Sequence, residues 1–170
     1  MTRWLLAALA FVLTLFVTPK LHALYLGSLP LTDLIESQGG ERRLVRIAGG
    51  ENVEVVVHHK EKWSQCPGLG VAAQARSMRG DSLVLLTDAL FRAFRDEAAK
   101  EPPNQRCLTV TLDLGAGRQD PMNRRETLAF SLWRRQTDQR WILFTMPSSS
   151  TIDVEARRML RARWPKNPQS

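Results

Sequence analysis

An almost unbroken apolar run opens the chain, and its length limits what the N-terminal segment can be. Residues 4–17 number fourteen, with Thr14 as their only polar residue and Arg3 as the one charge before them. As a helix, this run would span about 21 Å. A bilayer core of about 30 Å needs roughly 20 apolar residues, so the run is short for a spanning helix and typical of a secretory signal segment.

Two outcomes are open for this segment, residues 1–23. Cleavage after Ala23 would place Leu21 at position −3 and Ala23 at position −1, where signal peptidase sites carry small or apolar residues. Lys20 is an unusual residue so close to such a site. Alternatively, residues 4–26 stay on as an uncleaved anchor, with Lys20 snorkelling to the membrane interface. Both outcomes predict export to a bacterial periplasm or cell envelope, as a soluble domain in the first case and a tethered one in the second.

Export bears on the two cysteines, Cys66 and Cys107, which are the only ones in the chain. An even number of cysteines outside the cytosol is expected to pair. The bridge would close a loop of about 42 residues, worth on the order of 4 kcal/mol in the chain-entropy picture. Two separate buried thiols are the alternative. The spacing does not suit a redox or zinc motif.

The length after the leader suits one domain. Without residues 1–23 the chain has 147 residues, and its net charge falls from +7 to +5 because Arg3 and Lys20 are removed with no acid. That length is typical of one domain with its own core. We divide it into a lead-in segment at 24–41, a single α+β domain at 42–164 and a C-terminal tail at 165–170.

Hydrophobic periodicity predicts five strands and two main helices. Gly49-Gly50 is a tight-turn signal between the first two strands, and 106–114 alternates strictly between apolar and polar residues. A stripe of Leu83, Leu86, Leu90 and Phe94 marks the longer helix. The predicted strands are 42–48, 52–60, 106–114, 125–134 and 141–147, and the predicted helices are 82–100, capped by Asp81 or Ser82, and a basic helix from about Ser150 to Trp164.

The order ββ-α-βββ-α predicts one mostly antiparallel five-stranded sheet with both helices packed on one face. Residues 64–81 carry several Gly and Pro residues and are predicted to be irregular, with a short helical turn at 71–78. A second short turn, 32–38, is predicted in the lead-in, capped by Thr32 and stopped by Gly39-Gly40. Ile142, Phe144 and Met146 are predicted to face the core.

Catalytic, metal and cofactor motifs are not recognisable. His58 and His59 are neighbours on a strand, so they point to opposite faces and cannot both bind one metal. Asp113 or Glu126 could join one of them in space as a metal site or general base, although two ordinary strand residues are the simpler interpretation. The glycine pairs match neither a dinucleotide nor a phosphate loop. We therefore assign no catalytic residue, metal or cofactor, and the sequence favours a protein that is not an enzyme.

Arginine and tryptophan are interleaved in the last third of the chain. This combination suits an anionic membrane surface, a protein partner or nucleic acid, and also an ordinary solvated face. Export disfavours nucleic acid. A tentative binding surface consists of Trp133, Trp141, Arg134 and Arg140. The outward face of the last strands is predicted to carry Thr109, Thr111, Thr127, Ser131, Trp133, Trp141 and Thr145.

These features lead to one functional expectation and two alternatives. The first is a non-catalytic exported accessory domain that binds another envelope protein, either in solution or at the membrane surface. The second is a small secreted hydrolase or ligand-binding domain with a pocket between the helix at 82–100 and the sheet. The third is a single-pass anchored subunit of an envelope complex.

Overall fold

Three helices and one six-stranded sheet make up the computed structural model of this chain, which describes residues 29–47, 50–60, 66–76, 78–116, 125–144 and 151–164. The predicted signal or anchor segment, the tail at 165–170, and Thr145, Met146 and Ser150 lie outside the described residues. The elements are α1 (Leu31–Ser37), β1 (Glu41–Arg46), β2 (Asn52–Lys60), β3 (Gly68–Gln74), α2 (Asp81–Ala98), β4 (Cys107–Ala116), β5 (Arg125–Arg134), β6 (Trp141–Phe144) and α3 (Thr151–Arg163).

The strands lie in the sheet in their sequence order, β1 to β6. Four of the neighbouring pairs are antiparallel, and the β3–β4 pair alone is parallel. Two adjacent parallel strands need a crossover connection, and α2 supplies it. The predicted α+β class is confirmed, but the sheet is mixed. No helix among the described residues is long and apolar enough to cross a bilayer.

The sixth strand is β3, and the prediction of an irregular segment with a helical turn there was wrong. Val71, Ala72 and Ala73 are all fully buried between β2 and β4. A strand buried on both faces shows a continuous apolar run instead of alternation, so periodicity cannot identify it. Gly70 fits because a Cβ there would collide with the imidazole of His58 on the next strand.

One face of the sheet, called here the core face, packs against α2 and α3. From the helices, Leu90 and Phe91 of α2 and Leu160 of α3 are fully buried in the same apolar cluster as the sheet residues. The predicted packing of these two helices on one face is therefore confirmed. The strands contribute Val55, Val57, Leu69, Val71, Ala73, Leu108, Val110, Leu112, Leu128, Phe130, Leu132 and Leu143 to this cluster.

The register of β6 differs from the prediction. Leu143 lies opposite the core residue Leu132, and Ile142 lies opposite Trp133. Ile142 and Phe144 therefore face away from the core, and Trp141 and Leu143 face it. The strand is apolar at all four positions, so its pattern contains no information about which face is buried.

A polar cluster joins α2 to α3 on the outer side of the core. Asp88 accepts a hydrogen bond from the indole Nε1 of Trp164 at 2.8 Å and lies 3.2 Å from both Arg92 and Arg163. The Trp164 ring meets Phe91 edge to face, with centroids 6.0 Å apart. The C-terminal end of α3 is thereby fixed to the middle of α2.

The short helix α1 lies on the opposite face of the sheet, called here the second face. Its N-cap is Pro30, and Thr32 does not cap it. Instead, the Asp113 carboxylate on β4 accepts the Leu31 N–H at 2.8 Å, while its other oxygen accepts the Gly115 N–H at 2.9 Å. Thr32 is buried and accepts a hydrogen bond from Gln74 on β3 at 3.1 Å. The side chain that caps α1 is thus 82 residues away in the sequence.

The cap predicted for α2 also differs from the structure. Gly80 occupies the N-cap position with a φ of 53°, and no side chain caps the helix. Asp81 and Ser82 instead lie within the first turn, where the Asp81 carboxylate is favourable to the helix dipole.

Candidate binding groove beside the disulfide

The predicted disulfide is present between Cys66 and Cys107. The two Cα atoms are 5.4 Å apart, a usual separation for such a bond. Cys107 is the first residue of β4 and lies opposite Gly68, the first residue of β3. The bridge therefore holds together the starting ends of the two parallel strands and closes the β3-α2-β4 unit. Both cysteines are buried, at 3% and 4% exposure.

Strand register arranges the second face in rows across the sheet. One row contains His58, Gly70, Thr109, Ser131 and Phe144, and the next contains Lys60, Gly68, Cys107, Trp133 and Ile142. The hydroxyls of Thr109 and Ser131 are buried and 2.9 Å apart, so each has a partner. Five residues that the sequence predicted for an outward face lie on the second face: Thr109, Thr111, Thr127, Ser131 and Trp133. Trp141, from the same predicted set, faces the core instead.

A groove of about 330 Å³ opens at the Cys107 end of the second face. That volume lies at the lower end of the range for ligand pockets, roughly 300–1,000 Å³. Trp133 is the large apolar residue of the lining with the most exposure, at 40%. The lining residues are Cys66, Pro67, Pro103, Asn104, Arg106, Cys107, Trp133, Gln136 and Phe144.

Arg106 is the charged residue of this lining. Its Nε donates to the backbone carbonyl of Pro103. When the Gln136 amide is oriented with its oxygen towards the guanidinium, that oxygen accepts from Nη1 at 2.7 Å and from Nη2 at 2.8 Å. Arg106 is therefore held in place by the loop before β4 and by the β5–β6 turn.

The β5–β6 turn has its own ionic support. Arg135 pairs with Asp138 through both its Nε and Nη2 atoms, and Arg140 lies 3.5 Å from the same carboxylate. The hydrogen bond from Arg135 lowers the pKa of Asp138 to about 2. Asp138 is therefore ionised near neutral pH, where it pairs with Arg135 and Arg140 within the turn that carries Gln136.

The structure separates the four residues of the tentative surface. Trp133 faces the groove, whereas its neighbour Arg134 points to the opposite face and donates to the carbonyls of Ala99 and Glu101 at the end of α2. The Arg134 guanidinium lies 5.9 Å from the ring of Trp141, which packs against the core. Arg140 is exposed beside Asp138. Alternation along a strand explains why neighbours in sequence are not neighbours in space.

Sequence reasoning missed most of the groove. Pro103 and Asn104 belong to an irregular loop and Gln136 belongs to a turn, so no periodic pattern marks them. Arg106 was predicted to begin a strand, but it lies directly before β4, which begins at Cys107. Their one sequence signal is proximity to Cys107 and Trp133, which the sequence marks as a disulfide partner and as part of the tentative surface.

The two histidines lie on opposite faces, as expected for neighbours on a strand. His58 covers Gly70, and burial is the main reason that its pKa is lowered, with Lys60 and His59 adding to the effect. Burial likewise lowers the pKa of Lys60. His59 is exposed, and its Nδ1 lies 3.2 Å from Glu101.

The carboxylates suggested as partners of these histidines lie elsewhere. Asp113 is four positions beyond Thr109 on β4, which is about 13 Å along the strand from the row that contains His58. Glu126 lies opposite Gly115, farther still. No group of three or more His, Cys, Asp or Glu side chains suited to a metal ion occurs among the described residues.

Apolar side chains of α2 and of the sheet pack against each other where the second functional alternative predicted a pocket. Leu90, Phe91 and Leu112 are each fully buried there. The groove described above lies on the other face of the sheet.

Comparisons with protein-family models, with curated proteins and with solved structures find no match for this chain.

Proposed function

We propose that this chain is a non-catalytic exported accessory domain that binds another envelope protein through the groove beside the disulfide. The observation that carries the proposal is the position of Trp133, which is 40% exposed within a concave site of about 330 Å³. Aromatic side chains in well-packed concave sites are the usual anchors of protein interfaces. Pro67, Pro103 and Phe144 extend the apolar lining around it.

The polar groups of the groove favour recognition over catalysis. Asn104, Arg106 and Gln136 offer amide and guanidinium groups, whose role in recognition is to donate and accept hydrogen bonds. General acid–base catalysis relies on groups that titrate near the working pH. The lining therefore has the chemistry of a site that orients a ligand.

The walls of the groove are held by bonds within the domain. The disulfide fixes Cys66 and Cys107, and Arg106 connects the loop at Pro103 with the turn at Gln136. A preformed site loses little conformational entropy on binding, so more of the contact energy contributes to affinity.

Export is part of the proposal. Disulfides persist in oxidising compartments, so the Cys66–Cys107 bond supports a periplasmic or envelope location, as does the apolar run at residues 4–17. N-terminal sequencing of the exported protein tests the form of the domain. A first residue of Leu24 means a released domain, whereas a chain that keeps residues 4–26 is the anchored form.

Photocrosslinking in living cells tests the binding function. A photoreactive phenylalanine analogue replaces Trp133 in one strain and Leu85, an exposed apolar residue on α2, in the control strain. We expect a covalent adduct with one defined envelope protein at position 133 and none at position 85. The purified partner should bind the Trp133→Ala variant about tenfold more weakly than wild type and bind Leu85→Ala unchanged. Identical adducts at both positions, or none at 133, would refute the proposal.

A further inference from the structure

We infer that the groove binds an extended segment of the partner protein in which an Asp or Glu side chain lies close to an apolar one, with the carboxylate on Arg106 and the apolar side chain against Trp133. This inference rests on the proposed function and specifies the chemistry of the partner.

Arg106 has donors left for a ligand. A guanidinium carries five N–H groups. Pro103 and Gln136 accept three of them, so among the described residues two N–H groups have no acceptor. Both acceptors are neutral, and no described carboxylate forms an ion pair with Arg106. A fixed guanidinium with unused N–H donors binds carboxylates well, because its planar group is already oriented for two parallel hydrogen bonds to the carboxylate oxygens.

The neighbouring arginines differ from Arg106 in this respect. Arg135 and Arg140 share the Asp138 carboxylate, and Arg134 is bound to carbonyls at the end of α2. Arg106, Arg135 and Arg140 outnumber the single carboxylate of Asp138, so the turn beside the groove is positively charged. A positive surface attracts and orients an acidic partner segment.

The extended shape follows from the position of β6. It is the last strand of the sheet, so no described strand pairs with its outer side. Its residue Phe144 belongs to the groove lining. A segment added beside β6 would direct alternate side chains towards the second face, where the groove lies. Backbone pairing along β6 would hold the segment, while Trp133 and Arg106 would each contact one of its side chains.

Selection from random peptides tests the inference and does not require a purified partner. Peptides are displayed on phage through their C-termini, so side chains supply the carboxylates, and are selected on the exported, oxidised protein. We expect enrichment of Asp or Glu within two or three residues of an aromatic or aliphatic residue. The selected peptides should lose about tenfold or more in affinity, by fluorescence anisotropy, for Arg106→Gln and for Trp133→Ala. The matched controls, Arg158→Gln on α3 and Leu85→Ala on α2, should bind as wild type does.

A change in the peptide makes the test independent of how the variants fold. Replacing the enriched Glu by Gln, or Asp by Asn, should weaken binding to wild type as much as Arg106→Gln does. The same replacement should have no further effect on the Arg106→Gln variant, because the two changes remove one interaction.

The outcomes separate the inference from the proposed function. If the peptides lack acidic residues or bind Arg106→Gln normally, yet lose affinity for Trp133→Ala, the groove is a protein-binding site but the carboxylate inference is wrong. If no peptide is enriched, or the peptides bind Trp133→Ala normally, both are wrong. Self-association of the wild type that Trp133→Ala abolishes would overturn the inference in favour of a second copy of this chain.

Discussion

The two ends of the second face use the same strand, β4, in different ways. At the Asp113 end, both carboxylate oxygens accept backbone N–H groups, and α1 covers the sheet. At the Cys107 end, Trp133 is 40% exposed and Arg106 has donors without acceptors among the described residues. Satisfied polar groups under a packed helix indicate a structural role, whereas an exposed aromatic beside unused donors indicates binding.

Removing the disulfide should have the largest effect on stability. The double variant Cys66→Ser/Cys107→Ser frees a loop of about 42 residues, so we expect the free energy of unfolding to fall by about 4 kcal/mol. Urea titration measures the loss, and wild type in reducing agent should match the variant. A loss below about 1 kcal/mol would show that the Cys107 end does not depend on the bridge.

Asp113→Ala probes the opposite end. The change leaves the N–H groups of Leu31 and Gly115 without their acceptor, which we expect to reduce the free energy of unfolding by about 1–3 kcal/mol. Limited proteolysis should cut the variant first between residues 29 and 41, because α1 loses its cap. Glu126→Ala, an exposed carboxylate on β5, serves as the control and should change stability by less than about 0.5 kcal/mol. Equal losses in both variants would contradict the assignment.

Arg106→Gln sharpens the contrast between the two ends. Arg106 donates to neutral acceptors at the rim of the groove, so we expect the variant to change the free energy of unfolding by no more than about 1 kcal/mol. The same variant should lose peptide binding as described above. Thermal unfolding measures the first quantity. A loss of more than about 2 kcal/mol would make Arg106 a structural residue like Asp113.

The smallest effect concerns pH. Folding lowers the pKa of His58 below its unfolded value of 6.5. At a pH between the two pKa values, His58 is therefore protonated more in the unfolded chain than in the folded one. Stability should therefore decrease as pH falls below about 6.5, and the full contribution is present above it. His58→Gln should flatten this dependence, relative to wild type, in urea titrations at several pH values. An unchanged slope in His58→Gln would show that His58 does not titrate differently on folding.

Elements with a clear period were predictable, and the groove was not. The alternation in 106–114 and the stripe from Leu83 to Phe94 predicted β4 and α2, and the cysteine count predicted the bridge. β3 was missed because a doubly buried strand has no alternation, and β6 was given the wrong face because Trp-Ile-Leu-Phe is apolar throughout. The groove joins two loops, a turn and three strands, so only the pairing of distant segments brings its residues together.

The β3–β4 pairing, fastened by the disulfide, also sets the order in which the domain can assemble. All five pairs join consecutive strands, but the parallel pair alone matches its strands, from Gly68 and Cys107 onwards, across the whole of α2. Bringing such distant residues together is the entropically demanding part of folding. Once Cys66 and Cys107 are oxidised, the bond holds the starting ends of β3 and β4 close together, so their pairing costs less conformational entropy. We therefore expect the domain to mature quickly only once the bridge has formed, and the groove, which both cysteines line, to become competent at the same moment.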